Sequence, residues 1–201
     1  MLVIQHRANG LLRHWSNTAP AVGIAEVDVH IDMYGEILVK HNPNEPGYKL
    51  SYFLKYSKHE KFFVDIKQNL PVPLLLKIMR AFDKRSIGLF DVPMPSAYFL
   101  AKEGVNFYSR LSEYERPEGL TNRYWLDPLE TWDFKTYKHL IHSLQDTDRT
   151  IIACPSLHGQ PLSVCQRLWK WIKVEVQIGG HDRIEGIVTK HVEECEKVLN
   201  A

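Results

Sequence analysis

Five side chains that could do chemistry stand near the start of this chain, and more follow close behind. His6 and Arg7 come directly after Val3-Ile4-Gln5, Glu26 and Asp28 alternate with Val27 and Val29, and His41 lies beyond them. On an extended strand, residues i and i+2 share a face, so Glu26 and Asp28 point the same way. Two carboxylates on one face repel unless a proton or a cation lies between them. Oxygen ligands of this kind suit one hard divalent cation, Mg²⁺ or Ca²⁺. Phe63-Val64-Asp65-Ile66-Lys67 repeats the pattern, with Asp65 as a third ligand and Lys67 as a countercharge to a phosphate oxygen. The reference pKa of an imidazole lies near the working pH, which suits His6 and His41 to act as general acid and general base. The Arg7 guanidinium can grip a carboxylate or a phosphate by its fork. Together these residues predict cation-assisted cleavage of a small-molecule phosphodiester, the cation polarising a phosphoryl oxygen.

Something must hold these groups at strand ends. Apolar or β-branched runs recur at Leu2–Gln5, Ile24–Val29, Phe62–Ile66, Ile87–Phe90, Val105–Tyr108, Tyr124–Leu126, Thr150–Ala153 and Gly186–Val188. Helical spacing between them falls at Lys49–Tyr56, Leu74–Lys84, Pro95–Lys102, Phe134–Leu144, Leu162–Trp171 and His191–Leu199. Strands alternating with helices predict an α/β fold, a (β/α)₈ TIM barrel in one compact domain over residues 1–201. Glu36–Lys40, preceded by Tyr34-Gly35, reads as a hairpin return after the second strand. The Pro-rich pieces Leu70–Pro73 and Val92–Pro95 read as strand-to-helix loops.

Later strand ends supply Arg110, Glu113, Asp127, Ser156, His158, Thr189, Lys190 and His191 as rim candidates. Arg110 is expected at the phosphate, and Trp125 at the substrate as a lid or stacking surface, although core packing competes for Trp125. Each piece also has an ordinary reading. A Glu-x-Asp pair can be a solvated edge, Asp127 can cap a loop, Ser156 can start a turn and His158 can be solvated. Cys154 and Cys165 lie in apolar runs, where a thiol is inert. His139 and His142 have the spacing of a helical ligand pair, but no HxH or HExxH pattern points to zinc.

Lys and Arg number 25 against 24 Asp and Glu, a formal charge of +1, so no overall field draws the chain to nucleic acid. Three cysteines without a CxxC pair fit a reducing compartment. No run of the length of a membrane span occurs, and the opening residues lack the basic and long apolar regions of a signal peptide. These features predict a cytoplasmic protein without stable membrane insertion.

The residues resemble the glycerophosphodiester phosphodiesterase family, within the larger group of phosphatidylinositol-phospholipase-C-like barrels. His6-Arg7 is similar to that family's opening His-Arg, and Ser16-Asn17-Thr18-Ala19-Pro20 to its Glu-Asn-Thr stretch. Glu26-Val27-Asp28-Val29 is similar to its Glu-x-Asp-Val strand, and Gly35–Pro43 to its Asp-Gly-x-x-Val-x-His-Asp segment. Phe63–Lys67 resembles its third strand and Gly186–Lys190 its closing strand. The resemblance implies a TIM barrel with His6 and His41 as acid and base, Glu26, Asp28 and Asp65 on the cation, and Lys67 near the phosphate. Ser16 replaces the family's Glu, Asp65 replaces its usual Glu, and only Asn42–Lys61 stand where the family carries a long insertion. That short connection is also similar to the sphingomyelinase D-like phospholipases, which form a cyclic phosphate. A barrel that binds a metabolite without turning it over is a third reading.

Overall fold

The computed structural model describes residues 1–9, 23–57, 59–82, 85–90, 92, 94–116, 119–177 and 183–201. In chain order the first elements are β1 (Leu2–Gln5), β2 (Ile24–Ile31), β3 (Ile37–Val39), β4 (Tyr48–Lys49), α1 (Leu50–Tyr56) and β5 (Lys61–Ile66). Then come α2 (Val72–Phe82), β6 (Ser86–Phe90), α3 (Met94–Lys102), β7 (Ser109–Leu111) and β8 (Arg123–Leu126). The last are α4 (Phe134–His142), β9 (Arg149–Ala153), a 3₁₀ turn (Pro155–His158), α5 (Leu162–Gln177), β10 (Ile184–Thr189) and α6 (Val192–Asn200). The protein is a mixed α/β fold with mostly parallel strands. Among the described residues no helix is long and apolar enough to cross a membrane.

Contacts divide the chain into two compact units, Met1–His6 with Tyr108–Ala201, and Arg7–Phe107. In the first, β1, β10, β9, β8 and β7 pair in that order, all parallel. One face of this sheet carries Leu111, Tyr124, Leu126, Ile152 and Ile187 into a core with Tyr137, Ile141, Leu168, Trp169 and Cys195 from α4, α5 and α6. Burying such aliphatic and aromatic faces is worth roughly 25 cal/mol per Å², and it fixes which side of each strand meets the helices. Alternation then sends Arg110 and Trp125, which are register partners, to the other face.

In the second unit β2, β5 and β6 run parallel, while β3 returns antiparallel to β2 and β4 antiparallel to β3. The hairpin expected at Tyr34-Gly35 forms: the Asp32 carboxylate accepts the Tyr34 and Glu36 amides at 2.9 Å, and Gly35 takes a φ of 79°. A glycine bears that left-handed turn without the steric cost of a Cβ. Phe62 packs between Phe53 of α1 and Phe82 of α2, with ring centroids at 5.7 Å from each. The helix side of β5 is thereby set, and Phe63 and Asp65 fall on the opposite side.

Two boundaries differ from expectation for local reasons. The strand expected at Val105–Tyr108 begins later, at Ser109. Gly104, at φ 66°, ends α3, and the Val105 amide closes back on Leu100 O, so Val105 completes a helix cap instead of starting a strand. Only Phe107 bridges Leu89. Helix α2 starts at Val72 and not at Leu74, because Pro73 sits in the first turn, where its missing N–H is not needed.

Candidate active site

The three carboxylates expected on the cation, Glu26, Asp28 and Asp65, belong to the Arg7–Phe107 unit. In the parallel register Asp28 pairs with Asp65 and Glu26 with Phe63, so Glu26, Asp28 and Asp65 share one face of neighbouring strands. One oxygen from each of the three carboxylates lies within 4.8 Å of the others. Glu26 and Asp28 are buried, and the Asp65 side chain is 13 % exposed. Burial first, then the Asp28 and Asp65 charges, push the Glu26 carboxyl well above its ordinary pKa.

Lys67 answers part of this charge. Its Nζ hydrogen-bonds to Asp65 and lies 3.2 Å from Asp28 Oδ1. Burial pulls the ammonium pKa down, but the Asp65 and Asp28 carboxylates more than offset it and hold it above the ordinary value. Asp28 Oδ1 is buried and, among the described residues, accepts no hydrogen bond, the Lys67 contact being one of charge. A crowded set of carboxylate oxygens with one such oxygen fits a hard divalent cation.

Backbone and side-chain donors fix the other carboxylate oxygens. Arg7 adopts a φ of 49°, which turns its amide onto Glu26 Oε2 at 2.6 Å, and the Ala8 amide follows onto Glu26 O at 2.9 Å. The Arg7 guanidinium is half-exposed, its Nε 3.9 Å from Asp28 Oδ2. Asn9 then clasps Asp28 twice, its amide nitrogen donating to Oδ2 at 2.6 Å and its carbonyl accepting the Asp28 amide at 2.9 Å.

The hairpin delivers His41. The Lys40 amide bonds to Asp28 O at 3.1 Å, and His41 Nδ1 reaches within 3.2 Å of Asp28 Oδ2. The contact is one of proximity and charge, since among the described residues His41 Nδ1 makes no hydrogen bond. Two further contacts hold this loop: His30 Nε2 donates to His41 O at 2.9 Å, and Glu45 accepts the His41 amide at 2.6 Å. Hydrogen bonds from the Asn42 amide, and then from the His41 amide, lower the Glu45 pKa.

The structure therefore brings Arg7, Glu26, Asp28, His41, Asp65 and Lys67 together. Sequence reading missed Asn9, His30 and Glu45. Asn9 lies two positions after Arg7, and nothing in its spacing announces a bond across nineteen residues. His30 shares the Glu26 and Asp28 face by its i+2 position, which is a signal that alternation alone could have supplied.

His6, Arg110 and Trp125 belong to the other unit. The His6 amide donates to Thr189 O at 3.1 Å, extending the β1–β10 ladder by one residue. Arg110 pairs with Asp127 at 3.1 Å and with Glu115 at 3.5 Å. Trp125 is buried on β8, away from the helix-side core. His158 is not simply solvated, since its Nε2 donates to Asp127 Oδ1 at 2.7 Å. The Ser16–Pro20 stretch lies outside the described residues.

Neither a protein-family model nor a curated protein sequence matches the chain. Solved structures do. A glycerophosphoryl diester phosphodiesterase from Parabacteroides distasonis superposes with a TM-score of 0.67 at 12 % identity, over 99 % of this chain and 86 % of that one. The chain has the fold of these phosphodiesterases. A putative glycerophosphodiester phosphodiesterase from Galdieria sulphuraria gives 0.64 at 12 % identity, over 100 % of this chain and 98 % of that one. The glycerophosphodiester phosphodiesterase from Agrobacterium tumefaciens gives 0.59 at 10 % identity, over 100 % and 99 %.

Proposed function

We propose that this protein is a divalent-cation-dependent phosphodiester hydrolase acting on a glycerophosphodiester-like or other alcohol phosphodiester, on a closed (β/α)₈ barrel. The observation that carries the reading is the Glu26, Asp28 and Asp65 cluster with His41 and Lys67 against it, in a chain folded like the phosphodiesterases above. Glu26, Asp28 and Asp65 would hold one Mg²⁺ or Ca²⁺, which when bound supplies Lewis-acid polarisation of a phosphoryl oxygen.

The chain's own residues do the rest. His41, held beside Asp28 by the hairpin and by the His30 and Glu45 contacts, is placed to accept or return a proton through its ring. Lys67 keeps a positive charge beside the carboxylates and can meet a phosphate oxygen. Arg7 is half-exposed, with its fork free to turn toward an anion. We assign the complementary proton transfer to His6, on its residue type and place in the sequence.

The test is hydrolysis of a panel of glycerophosphodiesters and a chromogenic diester with Mg²⁺, Ca²⁺ or chelator. Loss of His41 or of the Glu26 charge is expected to lower kcat by about 100-fold or more. Full activity in both His41→Ala and Glu26→Gln refutes the assignment. Phosphorus NMR of the product separates hydrolysis from ring closure, because only the latter yields a cyclic phosphate.

A further inference from the structure

The loops that enter β8 and β9 meet at the N-terminal ends of these parallel strands, and a cavity of about 650 Å³ lies between them. Its wall includes Arg116, Leu120 and Asn122 from the first loop and Gln145, Thr147 and Asp148 from the second. Small-molecule pockets span roughly 300–1,000 Å³, so the volume is that of a ligand site. His6, Asp127 and His158 stand at the opposite, C-terminal ends of the same parallel sheet, where α/β folds bind their substrates. The cavity is thus no part of a catalytic mouth.

The two loops are fastened to each other. The Asn122 side-chain nitrogen donates to Thr147 O at 3.0 Å, and the Arg149 amide donates to Asn122 O at 2.7 Å. Within the second loop the Gln145 amide donates to Asp148 Oδ2 at 2.7 Å, while the Asp148 amide returns to Gln145 O at 3.0 Å. Asp148 is 5 % exposed, yet its Oδ1 accepts no hydrogen bond among the described residues and is not sealed from solvent. A carboxylate oxygen so deeply set calls for a donor. The Arg116 guanidinium, held by Nη2 on Ser143 O at 2.6 Å, brings a planar fork of N–H groups to the same wall.

Among the described residues of the wall, Arg116 and Asp148 carry the charges, one of each sign. The neighbouring charges are engaged elsewhere: Asp146 pairs with Arg183, and Arg149 Nη1 turns to Asp146 O and Asp148 O at 3.3 and 2.9 Å. A simple anion would face the Asp148 oxygen, and a simple cation would face the Arg116 fork. A ligand bearing both charges matches both. The Asn122 and Gln145 side-chain carbonyls and the Thr147 hydroxyl can take the remaining N–H groups of an ammonium, and Leu120 offers an apolar contact.

We propose that Arg116 and Asp148 form a binding site for a zwitterionic α-amino acid, with Asp148 Oδ1 receiving the ammonium and Arg116 the carboxylate. The site is complete within one unit and does not depend on the phosphodiesterase reading.

Calorimetric titration of the full chain with L-leucine and L-alanine tests this. Isoamylamine, which lacks the carboxylate, and isocaproate, which lacks the ammonium, are the controls. Saturable binding of an amino acid is expected, about tenfold or more tighter than either control. In amide NMR of the unaltered chain the shifts are expected at residues 119–122 and 145–148. Asp148→Asn keeps an acceptor for the Gln145 amide and removes the charge, and it should weaken binding about tenfold or more. No binding of either amino acid, a control that binds as tightly, or shifts confined to other residues overturns the proposal. Should Asp148→Asn not fold, Arg116→Gln must show the same loss, and an unchanged affinity in it equally overturns the assignment.

Discussion

Asp28 is the most heavily committed residue of the cluster. It meets Asn9, His41 and Lys67 at once, and each contact answers a different part of its charge. Truncating Asn9 leaves a buried amide and a carboxylate oxygen short of partners. Asn9→Ala is therefore expected to lower stability by about 1–3 kcal/mol in urea unfolding. Calorimetry of Mg²⁺ or Ca²⁺ binding should show about a ten- to hundredfold weaker affinity in the same variant, because the clasp orients a ligand. Lys67 carries a different burden, since its ammonium lies against both Asp28 and Asp65. Lys67→Met should cost about 3 kcal/mol without added divalent ion, as breaking a buried pair does. Millimolar Ca²⁺ should restore part of that loss if the carboxylates take up the ion, and an unchanged midpoint would count against the cation site.

At the level of elements, the start of β5 and the β1–β10 seam make two separate claims. His59 precedes β5, sits edge-on to Phe62 at 6.0 Å and is buried. Burial, and then the Arg85 charge, push its pKa down to about 4. The unfolded chain takes up that proton near pH 6.5, and the folded chain only near pH 4. Stability from this group is thus complete above about pH 6.5 and is lost as pH falls toward about 4, by up to roughly 3 kcal/mol. His59→Phe should flatten that arm of the urea midpoint against pH; an unaltered slope would refute the assignment. On the seam, a Cβ at Gly186 would meet Leu2 O at 3.0 Å and the Leu2 Cβ at 3.1 Å. Neither backbone can yield without opening the ladder, so Gly186→Ala should cost about 1–3 kcal/mol.

For the whole molecule, a cation bound to the folded state and not to the unfolded chain stabilises by mass action. At about a hundred times its dissociation constant the gain is about 2.7 kcal/mol, seen as a rise in Tm that Glu26→Gln abolishes. The sequence by itself determined the alternation of strands and helices, since apolar period and turn residues are local signals and the Tyr34-Gly35 turn formed where they placed it. It also determined that Glu26 and Asp28 share one face, because the strand repeat of two leaves no choice. Val105 escaped the pattern: its amide was claimed by the end of α3, and a residue cannot close a helix and open a strand with one N–H. Only the tertiary structure decided that Asp65 stands opposite Asp28, for register between strands is set by packing and not by either strand alone. Asn9, His30 and Glu45 act through single hydrogen bonds whose partners folding brings near, which no spacing rule records. His6 and Arg7 stood together as the opening motif. In the folded chain the Arg7 amide binds Glu26 while the His6 amide extends the β1–β10 ladder, because a left-handed turn at Arg7 sends consecutive amides to different partners.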